Sequence, residues 1–145
     1  MKPMPRAACS GFSLIELLTV VLIIGLLAAV AWPSYQSHLM RSQRAQAAVA
    51  LLQAQQFMER HYSVHGSYLS ASGARLELPL ALQVVQADSQ VVYQIKIDAA
   101  DALSYRLLAS PQGPMQADDC GALSLDHTGL KGRSGSAASV AQCWR

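Results

Sequence analysis

The distribution of apolar and polar positions divides the chain into three parts. Residues 12–32 are almost uninterruptedly apolar and contain one charge, Glu16. A helix of roughly 20 apolar residues is long enough to cross the hydrocarbon core of a bilayer. Residues 33–62 mix apolar positions with Arg and Gln, and residues 63–145 hold shorter apolar segments separated by Gly, Pro and Asp. The pattern predicts one membrane-spanning helix followed by a folded head.

The helix is expected to continue past the apolar run, because residues 34–62 lack Gly and Pro and are rich in Ala, Leu, Gln and Arg. Pro33 predicts a kink between the two halves, and a plain end of the membrane helix is the alternative. Apolar residues at helical spacing predict the face that packs on a sheet: Leu39, Ala45, Val49, Leu52 and Phe57. The outward face is expected to contain Arg41, Gln43, Gln46 and Gln53.

After residue 84 the composition changes to short β-rich segments separated by turns. Strands are predicted at residues 91–97, 103–109, 115–118 and 122–125. Residues 63–82 are expected to be partly irregular. Three or four antiparallel strands packed against the long helix predict an α+β fold.

The charge balance limits the classes of partner. The chain has 11 basic and 9 acidic residues, and Lys2 and Arg6 precede the apolar run, so 11 − 2 = 9 basic residues face 9 acidic ones beyond it. A balanced head has no general electrostatic attraction to nucleic acid. The basic start predicts a cytoplasmic N-terminus with the head on the far side of the membrane, although Arg41 and Arg44 just past the run weaken this topology.

Two of the three cysteines, Cys120 and Cys143, lie in the last quarter of the chain, whereas Cys9 lies in the basic N-terminal segment. In a head outside the cytoplasm such a pair predicts a disulfide, which would contribute roughly 3 kcal/mol through the loop that it closes. A metal site is the alternative, and no CxxC pair or suitably spaced histidine supports it.

No grouping of residues typical of an enzyme is present. His61 and His65 have the spacing of one helix face, but a metal site would need further ligands. Asp118 and Asp119, like other acids beside turns, are expected to be solvated loop residues. The sequence therefore predicts no catalytic residue, no metal and no cofactor.

The order of the N-terminal segments differs from that of an ordinary secretory signal, because the basic segment ends in Gly11 before the apolar run begins. Cleavage after Gly11 would keep the apolar run on the mature protein; an uncleaved signal anchor is the alternative. A carboxylate within an apolar helix costs about 2.5–3.5 kcal/mol and calls for a partner. A free amine at Phe12, four residues before Glu16, would supply one.

The residues Gly11-Phe12-Ser13-Leu14-Ile15-Glu16 resemble the prepilin signature of type IV pilins, here with the short leader of the type IVa subgroup. The resemblance implies cleavage between Gly11 and Phe12 by prepilin peptidase and N-methylation of Phe12. It also implies that Glu16 guides assembly by meeting the N-terminal amine of an adjacent subunit, and that Pro33 is the helix-kinking proline.

The sequence of residues 41–47, 59–62 and 66–68 is similar to that of PilE-type minor pilins. The implied protein is a structural subunit of type IV pili that supports adhesion and twitching motility. Residues 1–11 would be its leader. Its implied partners are other pilin subunits, prepilin peptidase and the inner-membrane assembly machinery, and it would move from the inner membrane into a surface pilus.

Two alternatives share the N-terminal signature. One is a minor pilin that binds DNA for natural transformation, with a small patch that would comprise Lys131, Arg133, Arg145 and a stacking residue, Trp144. The other is a type II secretion pseudopilin, which the cysteine pair and the PilE-like segments disfavour. The resemblance adds that pilins often end in a disulfide-bounded loop that contacts partners.

Overall fold

A computed structural model describes residues 12–144. The first element is the helix α1, Leu14–His65, which continues through Pro33. The described residues divide into two compact units, with the division between Ser37 and His38. The described part of the first unit is almost entirely helix, and the kink at Pro33 stays a prediction.

The second unit contains the rest of α1, a five-stranded sheet, two short α-helices and a 3₁₀ helix. Its elements after α1 are α2 (Leu80–Gln83), β1 (Val84–Ala87), β2 (Gln90–Ala100), β3 (Tyr105–Pro111), a 3₁₀ helix (Gly113–Ala117), β4 (Leu123–Asp126), β5 (Lys131–Arg133) and α3 (Val140–Cys143). The strands lie in the order β1-β2-β3-β4-β5, and every neighbouring pair is antiparallel. The α+β prediction is confirmed, with five strands instead of three or four.

Two details of the strand prediction were wrong. Residues 115–118 do not form a strand, because Gly113 and Pro114 begin a 3₁₀ helix there: Gly113 has a φ of 52° and Pro114 lies in the first turn. The strands β1 and β5 were missed. Each has only three or four residues, and β5 reads Lys-Gly-Arg, which carries no apolar signal.

The packed face of α1 also differs from the prediction. Ala47, Leu51, Ala54 and Met58 are buried against the sheet. Of the residues expected there, Val49 is 53% and Leu52 is 41% exposed, whereas Phe57 is partly buried and packs against the core. The buried face combines small alanines with the larger side chains of Leu51 and Met58. Gln43, expected to face outward, is buried as well.

The sheet contributes its own apolar face to the same core. Alternate residues of the central strands are buried, as expected for a sheet with one covered face. The core side chains from these strands are Val92, Tyr93, Ile95, Ile97, Tyr105, Leu107, Ala109, Leu123 and Leu125.

Candidate functional site: the apolar N-terminal helix and the disulfide loop

The N-terminal half of α1 exposes its apolar side chains throughout. Phe12 is 71% exposed, and the large apolar side chains between Leu14 and Trp32 are exposed as well. By length and composition this is the one helix in residues 12–144 that is long and apolar enough to cross a membrane. Such a surface needs lipid or other helices around it.

Glu16 lies in the first turn of this helix. Its Oε2 accepts a hydrogen bond from the backbone N–H of Ser13 at 3.3 Å, and Thr19 Oγ1 donates to the Glu16 carbonyl at 2.9 Å. Ser13 and Glu16 have the three-residue spacing of a capping box, in which the glutamate turns back to the helix N-terminus. The carboxylate therefore points toward Ser13 and not along the apolar run. Gly11 and Arg145 of the sequence predictions lie outside the described residues.

Asp118 is not the solvated loop acid that was expected. Its side chain is 4% exposed and forms a bidentate ion pair with Arg44 of α1, with Arg44 Nη2 2.6 Å from Oδ1 and Nε 2.9 Å from Oδ2. The hydroxyl of Tyr93 lies 3.5 Å from Oδ2. Burial, followed by the nearby Asp118 carboxylate, raises the pKa of Tyr93 well above its usual range. The pair is buried and fixes the start of the disulfide loop to α1.

A disulfide joins Cys120 and Cys143, whose Cα atoms are 5.7 Å apart. Both cysteines are buried in the core. The segment after β5 returns to the segment around Cys120 through backbone hydrogen bonds from Ser134 to Ala122, from Gly135 to Cys120 and from Ala137 to Asp119, each of 2.9 to 3.0 Å. The Gly/Ser-rich tail is thus held along much of its length.

The structure brings together part of the predicted basic patch. Lys131 is exposed, and its Nζ lies 5.2 Å from the centroid of the Trp144 ring, a cation–π distance. Trp144 is half-buried, and its indole N–H donates to the Gly132 carbonyl at 3.0 Å. Arg133 lies on the same face of β5 as Lys131, and its Nη1 donates to the Gly135 carbonyl. Trp144 therefore supports Lys131 and offers less free ring surface than the sequence suggested.

A cluster at the C-terminal end of α1 escaped the sequence analysis. Glu59 accepts hydrogen bonds from the hydroxyls of Tyr105 at 2.8 Å and Tyr68 at 3.0 Å. Tyr68 stacks on Tyr62, with ring centroids 4.5 Å apart, and contacts the edge of Tyr105 at 4.6 Å. Burial and then the hydrogen bond to Glu59 raise the pKa of Tyr68 to about 12. The residues are separated by up to 46 positions, and no spacing rule joins them.

The two histidines on one helix face are occupied with backbone contacts. Their rings stack at 4.1 Å, and His61 Nε2 lies 3.1 Å from the Leu69 carbonyl, so this nitrogen acts as a donor. Within residues 12–144, no group of three or more His, Cys, Asp or Glu side chains is placed to hold a metal ion.

The acids beside the turns stabilise those turns. Asp101 accepts hydrogen bonds from the Ser104 hydroxyl and from the backbone N–H groups of Leu103 and Ser104, and these bonds hold the pKa of its carboxyl below the usual value.

Two family models match the chain. Residues 33–124 match the family described as "Type IV minor pilin ComP, DNA uptake sequence receptor", and residues 6–32 match the prokaryotic N-terminal methylation motif. The first match covers more than half of the chain, and the second covers the predicted processing site and the apolar run.

Similar proteins agree with these matches. A type IV major pilin protein PilE1 of Neisseria gonorrhoeae is 32% identical over 63% of this chain and 46% of its own length. The type IV major fimbrial protein FimA of Dichelobacter nodosus is 64% identical over 23% of this chain and 21% of its own length. The chain spans less than half of the length of these curated relatives.

The fold has a solved counterpart in the non-core minor pilin PilV of Neisseria meningitidis. The two superpose with a TM-score of 0.54 at 19% identity, over 72% of this chain and 95% of that one. This likeness concerns the fold alone, that is, the long N-terminal helix and the antiparallel sheet described above. Together with the match over residues 33–124, these findings show that the chain belongs to the type IV minor pilin family of ComP.

Proposed function

We propose that this minor pilin is a structural subunit that prepilin peptidase processes and that the inner-membrane machinery then assembles into a type IV pilus. The observation that carries the proposal is the exposed apolar surface of residues 12–32, interrupted by the single charge of Glu16. Before assembly, lipid would cover this surface, and in a filament the helices of other pilin subunits would replace the lipid. Adhesion and twitching motility would be functions of the assembled pilus.

Processing would change the surroundings of Glu16. Cleavage between Gly11 and Phe12 would leave a free, then methylated, amine on Phe12, which remains cationic. The Glu16 carboxylate already turns toward the N-terminal end of its helix, where it bonds to the Ser13 N–H at 3.3 Å. An amine of an adjacent subunit can displace that bond and form a charge-assisted one, which is stronger in a water-poor helix bundle. One such pair per subunit would set the register of the helices.

The test is the Glu16→Ala variant, with Glu77→Ala, an exposed glutamate of the head, as the matched control. Both chains are expected in the membrane fraction, but only the control should appear in sheared pili in wild-type amount. The intact mass of the subunit in those pili should correspond to a chain that begins at methylated Phe12. Wild-type incorporation of Glu16→Ala would refute the role of Glu16, and filaments built from chains that begin at Met1 would refute the processing.

A second function, DNA binding during natural transformation, is favoured by the family whose model matches and by the Lys131–Trp144 pair. Lys131, Arg133 and Trp144 stand together on the β5 side of the disulfide loop, where the lysine is free to contact a phosphate. The patch is small, so electrostatic binding through it would be weak, with a shallow dependence on salt.

This second function is tested by fluorescence anisotropy with a labelled DNA duplex of about 20 base pairs, at salt concentrations between about 50 and 200 mM. Lys131→Ala should reduce the magnitude of the negative slope of log K against log salt by about 1, because one phosphate contact is lost. Lys96→Ala, at an exposed position of β2, serves as the control and should leave the slope unchanged. Absence of binding at the lowest salt would eliminate the second function and leave the first in place.

A further inference from the structure

The contacts of Arg44 reach both ends of the disulfide. Its guanidinium makes two hydrogen bonds to Asp118, two residues before Cys120, while Nη1 lies 3.5 Å from the carbonyl of Gln142, the residue before Cys143. One side chain of α1 therefore contacts the two chain segments that the disulfide joins. The ion pair is largely buried, with side-chain exposures of 11% for Arg44 and 4% for Asp118.

Other noncovalent contacts hold the same two segments. The N–H groups of Gly135 and Ala137 donate to the carbonyls of Cys120 and Asp119 at 3.0 and 2.9 Å. This approach requires glycine, because a Cβ on Gly135 would clash with the Asp119 carbonyl. On the other side, Ser139 caps the short helix α3 by accepting from the Gln142 N–H at 3.2 Å, which places Cys143 at the end of that turn.

From these contacts we infer that Arg44 is a template for disulfide formation: it brings Cys120 and Cys143 together in the reduced chain, so that the disulfide locks a loop that is already folded. The usual entropic cost of closing a loop would then be met largely by folding of the head. The role of Arg44 is positional, since the guanidinium touches neither sulfur in the described contacts.

The chemical step itself is an ordinary thiol–disulfide exchange. The thiols of Cys120 and Cys143 lose two protons and two electrons in total, and one molecule of glutathione disulfide is reduced to two molecules of glutathione. The equilibrium constant of this reaction measures the effective concentration of one thiol at the other. If Arg44 holds both segments, the effective concentration of one thiol at the other should be high, and loss of Arg44 should lower it.

The first test measures that constant in the full chain in detergent micelles. A Cys9→Ser background leaves Cys120 and Cys143 as the remaining thiols. The reduced protein is equilibrated in glutathione redox buffers, quenched by alkylation and analysed by mass. Arg44→Met, which keeps much of the aliphatic length, should lower the constant by about tenfold. Arg106→Met, which breaks the exposed pair with Asp98, should change it by less than about twofold.

A second measurement covers the case in which Arg44→Met fails to fold. In a Cys120→Ala, Cys143→Ala chain that retains Arg44, hydrogen exchange of the Gly135 and Ala137 amides reports whether the loop is held without the disulfide. Protection of both amides would show that the loop is held without the disulfide, as the inference requires, and the comparison of Arg44→Met with the wild type then assigns that role to Arg44. Exchange at the rate of an open loop, or equal oxidation constants for folded wild-type and Arg44→Met chains, would overturn it.

Discussion

Replacing Glu59 by Leu tests whether its carboxylate holds the C-terminal end of α1 against the sheet. The variant removes the acceptor of two tyrosine hydroxyls, those of Tyr105 at 2.8 Å and Tyr68 at 3.0 Å, and keeps an aliphatic side chain in the same place. Tyr105 is 2% and Tyr68 is 5% exposed, so both hydroxyls would be left buried without this acceptor.

The expected loss follows from that burial. A buried polar group without a partner costs about 1–3 kcal/mol, which gives about 2–6 kcal/mol for two hydroxyls. Glu59 itself lies on the exposed side of the cluster, so water can reach part of the site. We therefore expect the lower part of that range, about 2–3 kcal/mol in the free energy of unfolding.

The rescue distinguishes this explanation from a simple loss of charge. Adding Tyr68→Phe and Tyr105→Phe to Glu59→Leu removes the unpaired hydroxyls, and the triple variant should recover to within about 1 kcal/mol of the wild type. The assay is urea unfolding of the full chain in nonionic micelles, followed by the fluorescence of the head, with Glu77→Leu as a control at an exposed glutamate. A triple variant that is less stable than Glu59→Leu would refute the reasoning.

Three further predictions use the same unfolding assay. Ser89→Gly should raise the unfolding free energy by about 0.5–1 kcal/mol, because Ser89 has a φ of 64° in the β1–β2 turn, and an unchanged or lower value would contradict this. Leu51→Ala should cost about 2–5 kcal/mol and Leu52→Ala much less, since Leu51 is 0% and Leu52 is 41% exposed; equal costs would contradict the observed helix face. The pKa of Tyr68 is raised from 10.0 to about 12 on folding, so the neutral hydroxyl contributes fully to the free energy of unfolding below pH 10. This contribution is lost as the pH rises to 12. Tyr68→Phe should reduce that alkaline loss, and an unchanged pH profile would argue against it.

The sequence was informative wherever structure depends on neighbouring residues. The apolar run, the absence of Gly and Pro between Pro33 and Gly66 and the β-rich segments 91–97 and 103–109 are local signals, and α1, β2 and β3 form over them. The prepilin signature is local as well, and the matched methylation motif covers it.

The errors arose where a distant partner decides the outcome. Asp118 looks like a loop acid until Arg44, 74 positions away, is placed beside it. The packed face of α1 was misjudged because apolar residues occur on two sides of the helix, and burial went to the side with Ala47 and Ala54. Which of the two sides is buried depends on the sheet, whose strands come later in the chain.

The strand order of the sheet follows the chain order, with no crossover between β1 and β5. Each strand pairs with its predecessor in the chain, and sheets built from such local pairings fold faster than those that join distant segments. During synthesis the sheet can grow one strand at a time as the chain emerges. The step that must wait is docking of the last segment, because its ladder to residues 119–122 and its α3 turn require nearly the whole chain.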